Sequence, residues 1–567
     1  MREFALLAIG LFAATGLGCT RNSSPLPAAE GLADESLARG LSVNVSRGGS
    51  DYFMPDSMGP GCALFDADGD GDLDAFLVQA VRGPAGELES EAGRDRLYLQ
   101  QPDGHFRDAS AGSGLDDPRY GMGAAIADVD GDGDMDVFVT NFGSSRLFLG
   151  SGDGTFVDAT EDSGVREDQW AATAGFFDYD ADGQPDLFVA RYLALDPSTR
   201  GKGASGGSDY PSPLQFPGLP AGLWHNDGAG RFRDVSKESG IASLNGRGLG
   251  LAFDDLDGDG RIDVFVANDS EPNFAWLQTS PGRFQNKAFE LGVAVNRLGR
   301  PQANMGVALG DADGDGQLDL FVTHLVTETN ILYRRSARAK FVDATEGSGL
   351  GTPSLDLTGF GTHFADVEND GDLDLLVLNG RVLRRLPRAP SSVSPHWAPY
   401  AEENQLFLGQ GNGAFVLANA ATGGDFSASV VVGRALAVAD VDRDGGLDVL
   451  VHNGDGSCRL YMNRFPARGH WLSLRVLDAQ GRRDALGARV ELIAGGRRWL
   501  RPVTTCQGYL SAADSLVHFG LGTVTSVDEI VVHWPDGSLW TSPSEAAGAT
   551  RHDSLLVFPA KVLRVKQ

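Results

Sequence analysis

Seven short acidic segments are the part of this sequence best suited to chemistry. Each follows the nine-residue pattern DxDxDGxxD, with carboxylates at positions 1, 3, 5 and 9 and glycine at position 6. We call them loops 1 to 7, and they cover residues 66–74, 128–136, 178–186, 255–263, 311–319, 366–374 and 440–448. Such regular repetition indicates an array of similar structural units.

The residue types in these loops suit a hard divalent cation. Alternate carboxylates at positions 1, 3 and 5 can curl onto one side of a tight turn, and glycine at position 6 permits the backbone angle that closes it. Position 7 can offer its carbonyl and position 9 a further carboxylate, which completes the flexible all-oxygen shell that Ca2+ requires. We therefore predict about seven structural calcium sites.

The predicted ligand residues occupy positions 1, 3, 5, 7 and 9 of each loop. In loops 1 to 4 they are Asp66, Asp68, Asp70, Asp72 and Asp74; Asp128, Asp130, Asp132, Asp134 and Asp136; Asp178, Asp180, Asp182, Gln184 and Asp186; and Asp255, Asp257, Asp259, Arg261 and Asp263. In loops 5 to 7 they are Asp311, Asp313, Asp315, Gln317 and Asp319; Asp366, Glu368, Asp370, Asp372 and Asp374; and Asp440, Asp442, Asp444, Gly446 and Asp448.

Two other interpretations of the loops fit less well. An EF-hand needs Glu at position 12, but that position holds Leu77, Val139, Val189, Val266, Val322, Val377 and Val451. A metal-free acidic hairpin would crowd four like charges into nine residues, and they would repel one another. Calcium remains the predicted occupant.

The segments around the loops predict short β-strands. A four-residue apolar run follows each loop, from AFLV after loop 1 to VLVH after loop 7. Between loops, residues 147–160, 223–236 and 406–419 share a Leu-aromatic start, a Gly-rich turn and a second apolar run, which is typical of a β-hairpin. Each repeat of roughly 50–80 residues then holds about four strands, the size of one propeller blade. We expect surface insertions at 193–222 and 381–403.

Composition excludes several classes of protein. The 567 residues carry a formal net charge of -30, so binding to nucleic acid, which relies on Lys and Arg, is not expected. At 42% hydrophobic the chain is not a disordered acidic tail. The loops hold about two-fifths of the 77 acidic residues but only two arginines, so the rest of the chain is nearly neutral.

The N-terminus predicts export. Residues 4–14 form an apolar run too short to span a membrane, and small residues precede Cys19, as in a bacterial lipobox. We expect an export signal over 1–19, lipidation at Cys19 and a flexible tether over 20–40, with ordinary cleavage near Ala14 or Gly18 as the alternative. The protein would then be lipid-anchored in the cell envelope, at the outer membrane, in the periplasm or at the cell surface, and otherwise secreted. The anchor would be its only contact with membrane.

Residues 464–567 differ from the repeats. Alternating apolar residues at 471–477 and 488–493 predict strands of a small sandwich or barrel. The motifs GARV (487–490), GYLS (508–511), HFGLG (518–522) and HWPDG (533–537) resemble the ASPIC/UnbV domain. Asp484 departs from that pattern, which usually has Gly there.

The acidic loops within blade-length β repeats resemble the FG-GAP/VCBS repeats of integrin α-subunits and of bacterial surface proteins. With the C-terminal motifs, the whole is similar to the cartilage acidic protein family and its bacterial relatives. The resemblance implies an all-β fold, a seven-bladed β-propeller over 41–463 with calcium loops on its lower face, and a β domain over 464–567. It implies no established reaction.

Two cysteines lie where a closed ring would join its ends. Cys62 precedes loop 1 and Cys458 lies in the last repeat, so a closed ring would make them neighbours, and an oxidising compartment would allow a disulfide. A Cys458–Cys506 pair is the alternative.

A polar residue ends each strand that follows a loop. These residues are Gln79, Asn141, Arg191, Asn268, His324, Asn379 and Asn453. They could cap strand ends by bonding nearby backbone, or they could form an interaction face opposite the loops.

No HExxH or phosphate-binding glycine motif occurs, and no catalytic residue is predicted. His518 and His533 lie beside aromatic residues and glycine and are interpreted as structural. We expect an envelope-exposed, calcium-binding protein that is not an enzyme and binds a protein or glycan partner. The alternatives are a carbohydrate-acting enzyme and an accessory protein of a biosynthetic or assembly system.

Overall fold

Each acidic loop joins the first two strands of a sheet built on four antiparallel strands. The described part of the chain contains seven such sheets, and two of them gain a fifth strand. The structure is a computed structural model that describes residues 31–43, 51–83, 86–201, 209–336, 340–388, 393–466, 468–478, 481–542, 553–558 and 561–565. The predicted all-β, propeller-type fold is confirmed.

The seven sheets follow one another along the chain. Sheets 1 to 4 consist of Cys62–Phe65, Asp74–Leu77, Arg96–Gln100 and Phe106–Asp108; Gly121–Ala127, Asp136–Asn141, Arg146–Gly150 and Phe156–Asp158; Ala171–Phe177, Asp186–Arg191, Gly222–Asn226 and Phe232–Asp234; and Gly248–Asp254, Asp263–Glu271, Phe274–Ser280 and Arg283–Asn286. Sheets 5 to 7 consist of Val307–Gly310, Asp319–Val322, Ile331–Ser336 and Lys340–Asp343; Gly359–Ala365, Asp374–Asn379, Gln405–Gly409 and Phe415–Leu417; and Gly433–Ala439, Asp448–Asn453, Cys458–Asn463 and Leu32–Asp34.

Short elements connect the sheets. Pairs of short strands form between Leu219–Pro220 and Asn245–Gly246 and between Glu402–Glu403 and Val430–Val431, and Gln302–Ala303 pairs with the second strand of sheet 4. The α-helices are Thr160–Ser163, Ser236–Ser239, Ala288–Leu291, Gly351–Ser354 and Ala420–Ala428, and the 3-10 helices are Met54–Ser57, Glu91–Gly93, Pro213–Gln215, Ile241–Ser243 and Ala398–Tyr400. Within the described ranges, none of these helices has the length and apolar character to cross a membrane.

The first strands line a common axis. Each first strand contacts the first strand of the next sheet, and that of sheet 7 contacts that of sheet 1. Apolar side chains fill the space between neighbouring sheets, as Phe76 of sheet 1 does with Val137 and Phe148 of sheet 2. Second strands such as Val137–Val139 are buried on both faces, which explains why their sequences are apolar without alternation.

The fourth strand of sheet 7 comes from the other end of the chain. Leu32–Asp34 pairs antiparallel with Cys458–Asn463, in the register Leu32↔Asn463, and Leu32 is fully buried. The flexible tether predicted over 20–40 is therefore wrong for residues 31–40, because they complete a sheet. The export signal, Cys19 and the rest of the tether lie outside the described residues and stay predictions.

The C-terminal segment forms a β-sandwich. One sheet consists, in spatial order, of Val517–Gly522, His470–Val476, Asp553–Phe558 and Lys561–Val565, and the other of Arg497–Pro502, Arg489–Ala494, Glu529–His533 and Leu539–Thr541. The strands predicted at 471–477 and 488–493 are each placed within one residue of these bounds. The sandwich core contains Leu474, Val490 and Phe519.

A loop of the sandwich enters the axis of the ring. Ser511–Ala513 pairs in parallel with Cys62–Phe65, the first strand of sheet 1. Tyr509 and Leu510 are fully buried. They pack among residues of the axis, namely Cys62, Met122, Ala172, Leu249, Met305, Phe360 and Ala435. The Tyr509 hydroxyl donates to the Met58 carbonyl at 2.7 Å. The GYLS motif is therefore an axial plug that joins the two domains.

The N-terminal strand can be tested by truncation. A chain that begins at Leu41 should be less stable than one that begins at Gly31 by at least about 2 kcal/mol, because sheet 7 loses a strand and the burial of Leu32. Urea unfolding of the two chains measures the difference. Equal stability would contradict the role of residues 31–40 in closing the ring.

Candidate metal centres

All seven loops lie at the same end of the sheets, since each joins a first strand to a second strand. Position 9 is in every case the first residue of the second strand, as Asp136 is in Asp136–Asn141. The loops therefore form a ring on one face of the molecule, which we call the loop face.

The aspartate at position 9 joins three parts of its sheet. In sheet 2, Asp136 Oδ2 accepts the N–H of Val129 at 2.7 Å and Asp136 Oδ1 accepts the N–H of Gly150 at 2.8 Å. Val129 belongs to the loop and Gly150 to the third strand. The same pair of bonds recurs at Asp74, Asp186, Asp263, Asp319, Asp374 and Asp448. The sequence predicts a metal ligand at position 9 but does not reveal this structural role.

Positions 1 and 6 close the turn. The N–H of Gly133 at position 6 donates to Asp128 Oδ2 at 3.1 Å, and its φ is 100°. A positive φ favours glycine, which explains why all seven loops have it there. Position 4 also has a positive φ in every loop, even where it is Ala181, Asn369 or Arg443. The sequence indicates this only through the glycines at position 4 of the other four loops.

The carboxylates of a loop converge on one point. Potential ligand oxygens of Asp66, Asp68 and Asp70 all lie within 4.8 Å of one another. The same holds for three sets in loops 2 to 4, namely Asp128, Asp130 and Asp136; Asp178, Asp180 and Asp186; and Asp255, Asp257 and Asp259. The structure thus brings the predicted side-chain ligands of these loops together.

Burial makes this convergence unfavourable without a cation. Burial is the main cause that raises the pKa of Asp74, Asp136 and Asp263 to about 8, and neighbouring carboxylates of the same loop raise it further. In loop 7, Asp440 Oδ1 and Asp442 Oδ1 are buried without a hydrogen-bond partner. Orphaned carboxylate oxygens in an all-oxygen donor set fit a hard divalent cation. Positions 1, 3, 5 and 9 would supply carboxylates and position 7 a carbonyl.

The C-terminal sandwich covers much of the loop face. Arg483 donates to Gln184 Oε1 of loop 3 at 2.6 Å. Arg489 donates to the Asp255 carbonyl of loop 4 at 2.9 Å. The Trp499 indole donates to the Gly371 carbonyl of loop 6 at 2.7 Å. These hydrogen bonds use backbone carbonyls and a side-chain amide. Arg483 and Arg489 also lie 3.8 Å from the position 1 carboxylates Asp128 and Asp255.

The predicted interaction face is wrong. Six of its seven residues, all except Arg191, are at most 1% exposed. The Asn141 amide donates to the Ser144 carbonyl at 2.8 Å, and the Asn379 amide donates to the Glu403 carbonyl at 2.8 Å. Arg191 pairs with buried Glu167 at 2.7 Å. Asn141 and Asn379 therefore fasten the turns that follow their second strands, which is the capping role that the sequence left open, whereas both polar atoms of the buried Gln79 side chain lack a hydrogen-bond partner among the described residues.

The predicted disulfide is not formed. Cys62 and Cys458 both belong to the buried cluster on the axis, as expected of a closed ring, but both are free thiols. The Cys62 sulfur is directed at the Leu450 carbonyl, 3.9 Å away. The alternative pair fails too, because Cys506 is also a free thiol and lies 4.0 Å from the Leu251 carbonyl of sheet 4.

The two histidines of the C-terminal motifs differ in their surroundings. His518 bonds Ser473 Oγ through Nδ1 at 3.1 Å and Asn369 Oδ1 of loop 6 through Nε2 at 2.8 Å. Burial lowers the pKa of His518 to about 3, so it is a neutral contact between the domains. The His533 side chain is half exposed and lies 3.8 Å from Glu491.

Family comparisons agree with this architecture. Residues 66–139, 128–189, 220–266 and 255–322 match the FG-GAP-like repeat family, and residues 478–548 match the ASPIC and UnbV family. The chain is an all-β FG-GAP-repeat protein with a C-terminal ASPIC and UnbV domain.

It is, more particularly, homologous to cartilage acidic protein 1. Identity is 26% over 328 residues with the Xenopus tropicalis protein, covering 54% of this chain and 44% of that one. With the Homo sapiens protein it is 25% over 350 residues, covering 58% and 46%. The match spans less than half the length of these curated relatives.

Three solved structures align over most of the chain. An Agrocybe aegerita lectin that recognises non-reducing terminal N-acetylglucosamine covers 66% of this chain and 85% of its own, with 13% identity and a TM-score of 0.40. A Bacillus licheniformis rhamnogalacturonan lyase covers 72% of both chains, with 14% identity and a TM-score of 0.35. The V. cholerae biofilm matrix protein Bap1 covers 79% of this chain and 62% of its own, with 14% identity and a TM-score of 0.30.

The structural role of position 9 can be tested in loop 2. Asp136→Ala should lower the free energy of unfolding by about 2–5 kcal/mol even without calcium, because two buried N–H groups lose their acceptor. Asp134→Ala, at position 7 of the same loop, should have little effect in the same urea titration. Equal effects of the two substitutions would show that position 9 has no special role.

Proposed function

We propose that this is an exported protein that binds calcium at its acidic loops and uses the calcium-stabilised ring to bind a protein or glycan partner. Calcium has a structural role in this proposal, and the protein acts by binding rather than by catalysis. The observation that carries it is the convergence of buried carboxylates in loops of one repeated geometry.

Calcium would stabilise the ring because the carboxylates of each loop, which repel one another without an ion, would coordinate it. Extracellular calcium modules have dissociation constants of about 10⁻⁴–10⁻³ M, so at ~1 mM free calcium each site would add roughly 0.4–1.4 kcal/mol. Several such sites together approach the stability of a whole domain.

The arrangement of the domains favours one face for partner binding. The sandwich occupies the loop face, so the opposite face is the large surface of the ring that it leaves open. The insertions expected at 193–222 and 381–403 both connect second and third strands, so their described residues, 193–201, 209–222, 381–388 and 393–403, belong to that opposite face. We call this surface the insertion face.

The insertions are joined to one another. The Tyr400 hydroxyl donates to Asp209 Oδ1 at 2.7 Å, and the Arg384 N–H donates to Asp209 Oδ2 at 3.1 Å. The Arg384 guanidinium also donates to the Tyr52 hydroxyl at 2.7 Å. A surface fixed in this way can bind a partner with little loss of conformational entropy.

Exposed leucines on the insertion face favour a protein partner over a glycan. Leu214 is 63% exposed and Leu386 is 89% exposed, one on each insertion. Arg384 and Arg385 flank the second leucine and are also exposed. Apolar side chains surrounded by cationic ones are typical of protein interfaces.

Calcium dependence can be measured directly. Chelation should lower the melting temperature of the full chain by several degrees, and added Ca2+ should restore it, because each bound ion stabilises only the folded state. Mg2+ at the same concentration serves as the control and should restore little. An unchanged melt on chelation would refute the structural role of calcium.

The insertion face can be tested separately. Leu214→Asp combined with Leu386→Asp should reduce capture of partners from envelope extracts in the presence of calcium and leave the melting temperature unchanged. Leu539→Asp, at a 60% exposed position on the sandwich, is the matched control. A glycan array with the same variants separates the two partner classes. Equal capture by all three proteins would contradict the proposed surface.

A further inference from the structure

One position on the third strand distinguishes the loops from one another. It immediately precedes the residue whose N–H donates to the position 9 aspartate. In sheets 1, 2, 4, 6 and 7 this position holds Leu99, Leu149, Leu277, Leu408 and Met462. In sheet 3 it holds His225 and in sheet 5 it holds Arg334. Sheet 5 therefore has an obligate cation where most sheets have an apolar residue.

Arg334 reaches a predicted calcium ligand. Its guanidinium forms an ion pair with Asp313 at position 3 of loop 5, whose side chain is only 8% exposed. In sheet 2, by contrast, the equivalent third-strand residue is Leu149. Leu149 and Asp130, at position 3 of loop 2, both lie beside Gly230, so Asp130 has a methyl group near it instead of a guanidinium.

Arginines from other parts of the chain also lie beside loop 7. Arg468 binds Asp444 at position 5 with both guanidinium nitrogens, at 2.7 and 2.6 Å. Asp442 at position 3 accepts from Arg39 at 3.1 Å and lies 3.4 Å from Arg464. Three guanidinium groups therefore face two predicted ligands.

Loop 1 provides the contrast. Among the described residues, no Lys or Arg nitrogen lies within 4 Å of the carboxylates at its positions 1, 3, 5 and 9. Its one such neighbour, Arg443, lies 3.3 Å from Asp72 at position 7, where the backbone carbonyl rather than the side chain is the predicted ligand.

We propose that loops 5 and 7 carry their own cation in the form of arginine and bind calcium at least tenfold more weakly than loop 1. The inference rests on the proposed calcium function and extends it to individual loops. A guanidinium beside the site repels a divalent ion, and its hydrogen bonds engage part of the carboxylate oxygens that calcium would need, such as Asp442 Oδ2 in loop 7. Arg334 is then a specificity-determining residue, because it determines whether loop 5 binds calcium tightly.

The experiment counts tight calcium sites by equilibrium dialysis of the chelator-treated full chain. Asp68→Ala, at position 3 of loop 1, should remove one tight site. Asp313→Ala, at position 3 of loop 5, should remove none. Arg334→Leu, which installs the residue found in four other sheets, should add one, and Leu149→Arg in sheet 2 should remove one.

Each result bears on the inference. Loss of a tight site in Asp313→Ala, or an unchanged count in a folded Arg334→Leu protein, would overturn it. The comparison of Asp68→Ala with Asp313→Ala tests the inference even if Arg334→Leu fails to fold. If the wild-type chain binds no calcium at all, the proposed function fails and this inference with it. Calcium at seven equal sites would overturn the inference alone.

Discussion

The buried carboxylate at position 9 is the constraint on which the rest of the ring depends. It accepts one N–H from its loop and one from the third strand, so removing it would leave two buried donors unpaired. Its negative charge is nevertheless costly, because burial raises the pKa of residues such as Asp136 to about 8. A positive charge near this group would favour its ionised form. The loops, whose geometry suits a bound cation, and the arginines that lie around them can both provide this positive charge.

Positive charge reaches the loops from several parts of the chain. Arg334 comes from a third strand, Arg39 from the N-terminal segment and Arg489 from the sandwich. A net charge of -30 is thus not spread evenly over an acidic surface. It is concentrated at one face, and the basic residues of the C-terminal domain lie against that face. The arrangement explains how the sandwich is held on the ring by directed contacts with loop carbonyls and amides.

The sequence predicts those features that local chemistry determines. The spacing of Asp and Gly identifies all seven loops, and the apolar run after each loop identifies the second strand, because turn and strand follow within a few residues. Three features escape it, and the first two do so because they depend on distant pairing. The segment Leu32–Asp34 has no strand pattern of its own and is fixed by residue Asn463 at the far end of the repeats. The GYLS motif indicates a family but not an axial plug, and Asn141 looks the same in sequence whether it caps a turn or faces a ligand.

The junction at loop 7 shows how these constraints meet. The N-terminal strand, the last repeat and the linker to the sandwich all converge there, and Glu35 pairs with Arg464 at 2.8 Å beside Asp442. The ring can close only when residues from both ends of the propeller segment are present, so closure is a highly non-local step of the fold and carries a large loop-closure entropy. Ion pairs within the chain are available at this step before any ion is bound. The other loops lie within single sheets whose strands are adjacent in sequence, so a cation that arrives later can still stabilise them. The use of arginine at loop 7 would then follow from the order in which the ring can be assembled, whereas Arg334 serves loop 5 from within a single sheet.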